Sequence, residues 1–161
     1  MDDRVPEAHD ERHETQAERI DRNLTELLQE LRVAAIGVQV LFGFLLSLPF
    51  TNGFDRLRGY RRGIYVADLL VTAIAAALLS TPVAYHRIVF RQHKKAGLLR
   101  VANIVALLGL AAVAVAVSGA VFLAVSVVYS SALAAAIGGV SAAAFVGLWF
   151  VMPQFDRRDD Y

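Results

Sequence analysis

The chain has 161 residues, of which 57% are apolar and 19% charged, with no cysteine and a formal net charge of +1. The absence of cysteine removes any disulfide framework, thiolate nucleophile or Cys-ligated metal. The charges are gathered into short blocks, which excludes a soluble domain with an evenly charged surface. From Val101 to Met152 there is no Asp, Glu, Lys or Arg, a run more than twice the ~20 residues needed to cross a ~30 Å hydrocarbon core.

Residues 1–14 (MDDRVPEAHDERHE) are charged and aperiodic and read as a disordered tail. The first 32 residues carry ten acids against five arginines and lack the shape of a secretory signal, so the first apolar segment is expected to stay in the mature protein. A helix is expected from Thr15, which with Glu18 has the spacing of a capping box. Over 15–32 this helix is amphipathic. Ile20, Leu24, Leu27, Leu28 and Leu31 recur every three or four residues on one face, while Glu18, Arg22 and Glu26 follow i, i+4 spacing on the other. No helix breaker precedes Gly37, so the helix should run on into the first membrane span.

The transmembrane part is expected over 33–152, in four spans of about 33–50, 64–85, 101–124 and 133–152, with a charged tail at 153–161. Pro49 ends the first span, because proline disfavours helical geometry in the residue before it. Pro82 lies in the last turn of the second. Ser126, Tyr129, Ser130 and Ser131 supply the turn between the third and fourth. The fold class expected is all-α: a transmembrane four-helix bundle with an N-terminal amphipathic helix continuing into the first span.

Helices in lipid associate through close backbone approach and interhelical polar contacts, since leaving one apolar surface for another gains little. Ala112, Ala116, Ala120 and Ala124 repeat every four residues in the third span, and Ala135, Gly139, Ala143 and Gly147 do so in the fourth. Two such ridges joined by a short turn read as a tight antiparallel hairpin; the alternative is that one of them contacts a second copy of the chain.

Two polar side chains inside the spans are the candidates for ion or proton coupling. Asp68 is the one ionisable residue within a span, and intramembrane carboxylates are by default candidates for ion or proton handling. For a second span centred near Ala75 it lies seven residues, or about 10 Å, from the centre, near enough to the edge to be a structural carboxylate reaching water, headgroups, Arg61 or Arg62. Gln39 sits near the middle of the first span, as packing glue or as a polar contact in a pathway. The loop from His86 to Arg100 carries Arg87, Arg91, Lys94, Lys95 and Arg100 without an acid, and reads as a patch for anionic lipid headgroups, not as a nucleic-acid surface. No phosphate loop, nucleophile elbow, zinc motif or paired carboxylate occurs, so neither an enzyme, a cofactor nor a metal site is expected.

Three stretches, RNLTELLQELRVAAIGVQVLFGFLLSLPF at Arg22–Phe50, PVAYHRIVFR at Pro82–Arg91 and RVANIVAL at Arg100–Leu107, resemble a family of small actinobacterial membrane proteins known as a domain of unknown function. The resemblance extends over residues 15–152. It implies four helices in the plasma membrane and no established activity; some relatives carry a sodium/proton antiporter label. The chain is also similar in size to the small multidrug exporters, which rely on a deep carboxylate where this sequence has Gln39.

The leading expectation is a non-enzymatic membrane scaffold or modulator that docks a membrane or cytoplasmic protein, or a second copy, through the leucine face of residues 15–32. The alternative is a small oligomeric ion- or proton-coupled transporter using Asp68. Twelve Lys and Arg fall on the side of the two termini and four on the other, which predicts cytoplasmic termini. Because the chain has no native cysteine, single cysteines report on this directly. Asn52→Cys should react with a membrane-impermeant maleimide in intact cells and His93→Cys only after lysis; the reverse pattern overturns the orientation.

Overall fold

The computed structural model describes residues 16–89 and 95–156. Four long helices, α1 (Gln16–Ser47), α2 (Tyr60–Val89), α3 (Lys95–Val128) and α4 (Ser131–Val146), carry almost all of it, and no strand occurs among the described residues. The fold is all-α. The expected tail at 1–14, the Thr15 cap, Arg91, Lys94 and the residues from 157 onward lie outside the described residues.

α1 is one unbroken helix, so the amphipathic segment and the first span share an axis. Its polar face holds an exposed Arg22–Glu26 pair at 3.8 Å, the i, i+4 geometry worth a few tenths of a kcal/mol. Proline ends the helix as expected: Pro49 sits in a 3-10 turn, Leu48–Phe50. A second such turn, Phe54–Arg56, follows, and Gly59 enters α2 with φ +59°, a conformation that L side chains resist. α2 passes through Pro82 to Val89. The α3–α4 turn is shorter than the serines suggest: only Tyr129 and Ser130 interrupt the helix, Ser130 caps α4 by accepting from the Leu133 N–H, and Ser126 is buried inside α3.

α4 continues through a π-helical turn, Gly147–Val151, into the short helix α5, Met152–Asp156. Pro153 explains the widening. Its ring crowds the carbonyl four residues back and it has no N–H to donate, and the preceding Met152 N–H reaches back five residues to the Gly147 carbonyl.

Among the described residues four stretches are long and apolar enough to cross a membrane: Thr25–Phe50, Tyr60–Ala84, Val101–Val128 and Ser131–Gln154. Only 11% and 6% of the first and last are buried within the chain, against 28% of each of the middle two, so α2 and α3 form the axis of the bundle. α1 packs on that pair and α4 packs on α3. The outward faces are apolar; Val40 and Val140 are each 70% exposed. Side chains of that kind, repeated around every helix, suit acyl chains and not water.

Packing corrects two details of the sequence reading. Ala135, Gly139 and Ala143 are exposed and Gly147 is half-buried. α4 meets α3 one position earlier, through Ala134 and Gly138, where a Cβ on Gly138 would lie 3.1 Å from Phe122 Cβ and 3.4 Å from the Ser118 carbonyl. The α3 ridge packs elsewhere: Ala116 is fully buried, and Ala112 and Ala120 join apolar clusters with α1 and α2. A four-residue spacing in an alanine-rich helix fits several faces, and the hairpin uses the one that lets Phe122 cover Gly138. The leucine stripe of α1 is also partly used inside the bundle. Leu31 is buried with Leu79, and Leu27 packs against the same cluster.

The end where α1 meets α2 and α3 meets α4 is closed by its loop. Leu57 is fully buried among Leu45, Tyr65 and Leu123. The Tyr65 hydroxyl donates to the Leu45 carbonyl at 2.9 Å, and its ring takes the edge-to-face arrangement with Phe54 at 5.1 Å. Arg61 donates to the Ser126 carbonyl (2.8 Å) and the Ser131 hydroxyl (2.6 Å), tying α2 to the α3–α4 turn. Leu57→Ala is expected to lower stability by about 3 kcal/mol and Tyr65→Phe by about 1 kcal/mol, as read from reversible unfolding in mixed micelles. A Leu57→Ala protein as stable as its parent contradicts this account of the loop.

Candidate functional site

The buried face of α2 reads Tyr65, Asp68, Thr72, Ala75, Leu79 and Pro82, steps of three and four that keep one stripe towards α3 and α1. Asp68 is part of that stripe and is 5% exposed. Asp68 stands eight residues, about 12 Å along the helix axis, inside the first residue of the membrane-competent stretch Tyr60–Ala84.

Gly119 of α3 lies directly opposite. A Cβ there would overlap Asp68 Oδ1 and come 2.8 Å from Cγ, so the carboxyl rests on bare helix backbone. The register of the two helices is fixed by this contact and by Gly109, whose Cβ would come 2.7 Å from Leu79 Cδ2.

Asp68 Oδ2 has no hydrogen-bond partner. The nearest polar side chains in sequence and register are turned to their own helices: Thr72 donates to the Asp68 carbonyl at 2.7 Å and Ser118 to the Ala114 carbonyl at 2.7 Å. Neither arginine expected to reach Asp68 does so. Arg61 is committed to Ser126 and Ser131, and Arg62 to the Leu57 carbonyl at 2.8 Å and, at 4.0 Å, to Asp55. A carboxylate held in this place without a counter-charge costs several kcal/mol. The arrangement therefore calls for a neutralising species on Asp68, either a proton or a cation. Among the described residues no three His, Cys, Asp or Glu come together as a metal site.

The other sequence candidates are not gathered around Asp68. Gln39 is near the middle of its span but exposed on α1, whereas Asp68 is enclosed between α2 and α3. Of the basic patch, Arg87 is in the last turn of α2, and Lys95 and Arg100 are in the first turns of α3, so these three share one end of the bundle. Ile20 and Leu24 lie on α1 beyond the packed leucines. Sequence reasoning missed Gly119, which lies in the small Ser118–Gly119–Ala120 step of a run already rich in alanine. It also missed Tyr65 and Leu57.

The family of unknown function DUF6328 matches over residues 13–153. No curated protein and no solved structure matches the chain.

Gly119→Ala should destabilise the protein by about 1–3 kcal/mol through overlap with the carboxyl. Removing that carboxyl by Asp68→Ala in the same chain should recover much of the loss, a coupling of the kind expected between residues in contact. Additive effects of the two substitutions in an unfolding titration contradict the contact.

Proposed function

The chain belongs to the family of unknown function DUF6328, and from that premise we propose that it is a small multi-pass plasma-membrane protein that takes up and releases a proton at Asp68. The observation that carries this reading is the buried, unpartnered carboxyl oxygen pressed against Gly119. A proton is favoured over a metal cation because among the described residues no three His, Cys, Asp or Glu come together to complete a coordination shell. No covalent chemistry is assigned to the protein.

Asp68 is 5% exposed, and apolar clusters lie to either side of it: Leu45, Leu57, Tyr65 and Leu123 form one, and Ala75, Leu79 and Ala106 belong to the other. On this reading release involves a separation of α2 and α3, or a second copy that changes their packing through the bare outer face of α4. On this reading the chain acts as an oligomeric proton-coupled carrier, antiporter-like in chemistry, and not as a rigid scaffold. The scaffold reading is the weaker one because Leu27 and Leu31 are used inside the bundle, leaving Ile20, Leu24 and the half-buried Leu28 for its docking face.

Cytoplasmic termini remain part of the proposal. The four arginines on the opposite side are their main counterweight, and two of them, Arg61 and Arg62, have structural partners in the loop. An actinobacterial origin accords with the sequence resemblance.

Reconstituted into vesicles with an internal pH dye, the full chain is expected to conduct or exchange protons under an imposed gradient. Asp68→Asn should reduce the signal to that of empty vesicles, and Asp68→Glu should keep part of it. Absence of flux in the parent protein, or undiminished flux in Asp68→Asn, rejects the proposal.

A further inference from the structure

Arg32 stands on α1 at a depth where the neighbouring helices are still apolar. The Tyr65 hydroxyl meets the Leu45 carbonyl, and fourteen residues along each helix Leu31 and Leu79 share one cluster. The two antiparallel helices thus keep register, and Arg32 is level with about Leu78. Arg87, the first cation after the apolar run of α2, is nine residues further on, which is about 13 Å. Arg32 therefore leaves α1 well inside the layer that α2 spans. An arginine at such depth is costly unless it finds an anion or reaches the interface.

Among the described residues no anion is paired with Arg32. Arg32 is exposed and makes no ion pair among the described residues. Glu26 is engaged with Arg22, and Glu30, two residues back, points about 200° away around the helix.

Beside Arg32 runs an apolar groove between α1 and α2, lined by Leu31, Ala35, Leu79, Val83 and Ala84, with a volume of about 730 Å³. It is open along one side, and by register it extends from the level of Ala35 to that of Ala84, again about 13 Å. The small side chains of Ala35 and Ala84 leave it unfilled. Side chains on a helix lean towards its N-terminus, so the Arg32 guanidinium is carried towards the Ala84 end, which is also the end that bears Arg87, Lys95 and Arg100.

We propose that this groove is a binding site for one anionic phospholipid, whose phosphate is drawn inward onto Arg32 and whose acyl chain lies along Ala35 and Leu79. A planar guanidinium matches a phosphate through two parallel N–H donors, and the groove supplies the apolar contact that a free anion does not need. The site is separate from Asp68 and does not depend on the proton reading.

The test uses the full chain purified in mild detergent, with phosphatidylglycerol or phosphatidylcholine of identical acyl chains added and retained lipid counted by native mass spectrometry. The parent protein should retain one phosphatidylglycerol in preference to phosphatidylcholine. Arg32→Gln should bring the two lipids to parity, Arg32→Lys should keep most of the preference, and Ala35→Leu, which fills the groove and leaves the charge, should release both. Equal retention by the parent, or an unchanged preference in Arg32→Gln, overturns the proposal. So does displacement of the lipid by inorganic phosphate alone, which makes Arg32 a simple anion site, and so does a dimer that Arg32→Gln dissolves, which assigns the face to a second copy.

Discussion

The bundle turns on one close contact, the Asp68 carboxyl against the bare backbone of Gly119. In lipid there is little hydrophobic gain from pressing two apolar helices together, so the strength of a pair depends on how closely the backbones approach and on what polar groups lie between them. α2 and α3 approach through Gly109 and Gly119 and enclose a carboxyl at the second of these. A glycine makes room for the acid, and the acid removes any tolerance for a larger residue at the glycine. The same interface that organises the fold also holds its least solvated ionisable group, so a change in the charge of Asp68 is a change in the packing of the two central helices.

The ends of the bundle limit how that interface can respond. At the end where α1 meets α2, Leu57 is driven into the cluster of Leu45, Tyr65 and Leu123, and Arg61 binds a carbonyl in the last turn of α3 together with the first hydroxyl of α4. Backbone carbonyls at a helix end lack partners within the helix, and an arginine there meets that need while linking three helices. α4 is held mainly by α3 and presents most of its surface outward. The part of the structure with freedom to rearrange is therefore the α4 side, and the fixed part is the clamp around Tyr65.

Much of this was legible in the sequence. Uninterrupted apolar runs, prolines and charge blocks pointed to an all-α chain with four long apolar helices, since a chain of that composition has no other favourable environment. Asp68 was singled out for the same reason: one charge in a span is conspicuous. Its surroundings were not legible, because they depend on the register between two helices, and periodicity within a helix does not contain that register. The ridge on α4 was misplaced by one position, since in an alanine-rich segment Ala134–Gly138 and Ala135–Gly139 are equivalent until Phe122 is set against one of them. Gly119 was hidden by its smallness.

The central claim is that Asp68 carries a proton inside the membrane, and infrared spectroscopy of the reconstituted chain tests it most directly. A band of a protonated carboxyl that shifts on exchange into heavy water and vanishes in Asp68→Asn is the result the account predicts. A spectrum showing only the ionised carboxylate for Asp68 across the neutral range, with the helices still packed, would contradict it and mean that an unseen cation or partner neutralises the site.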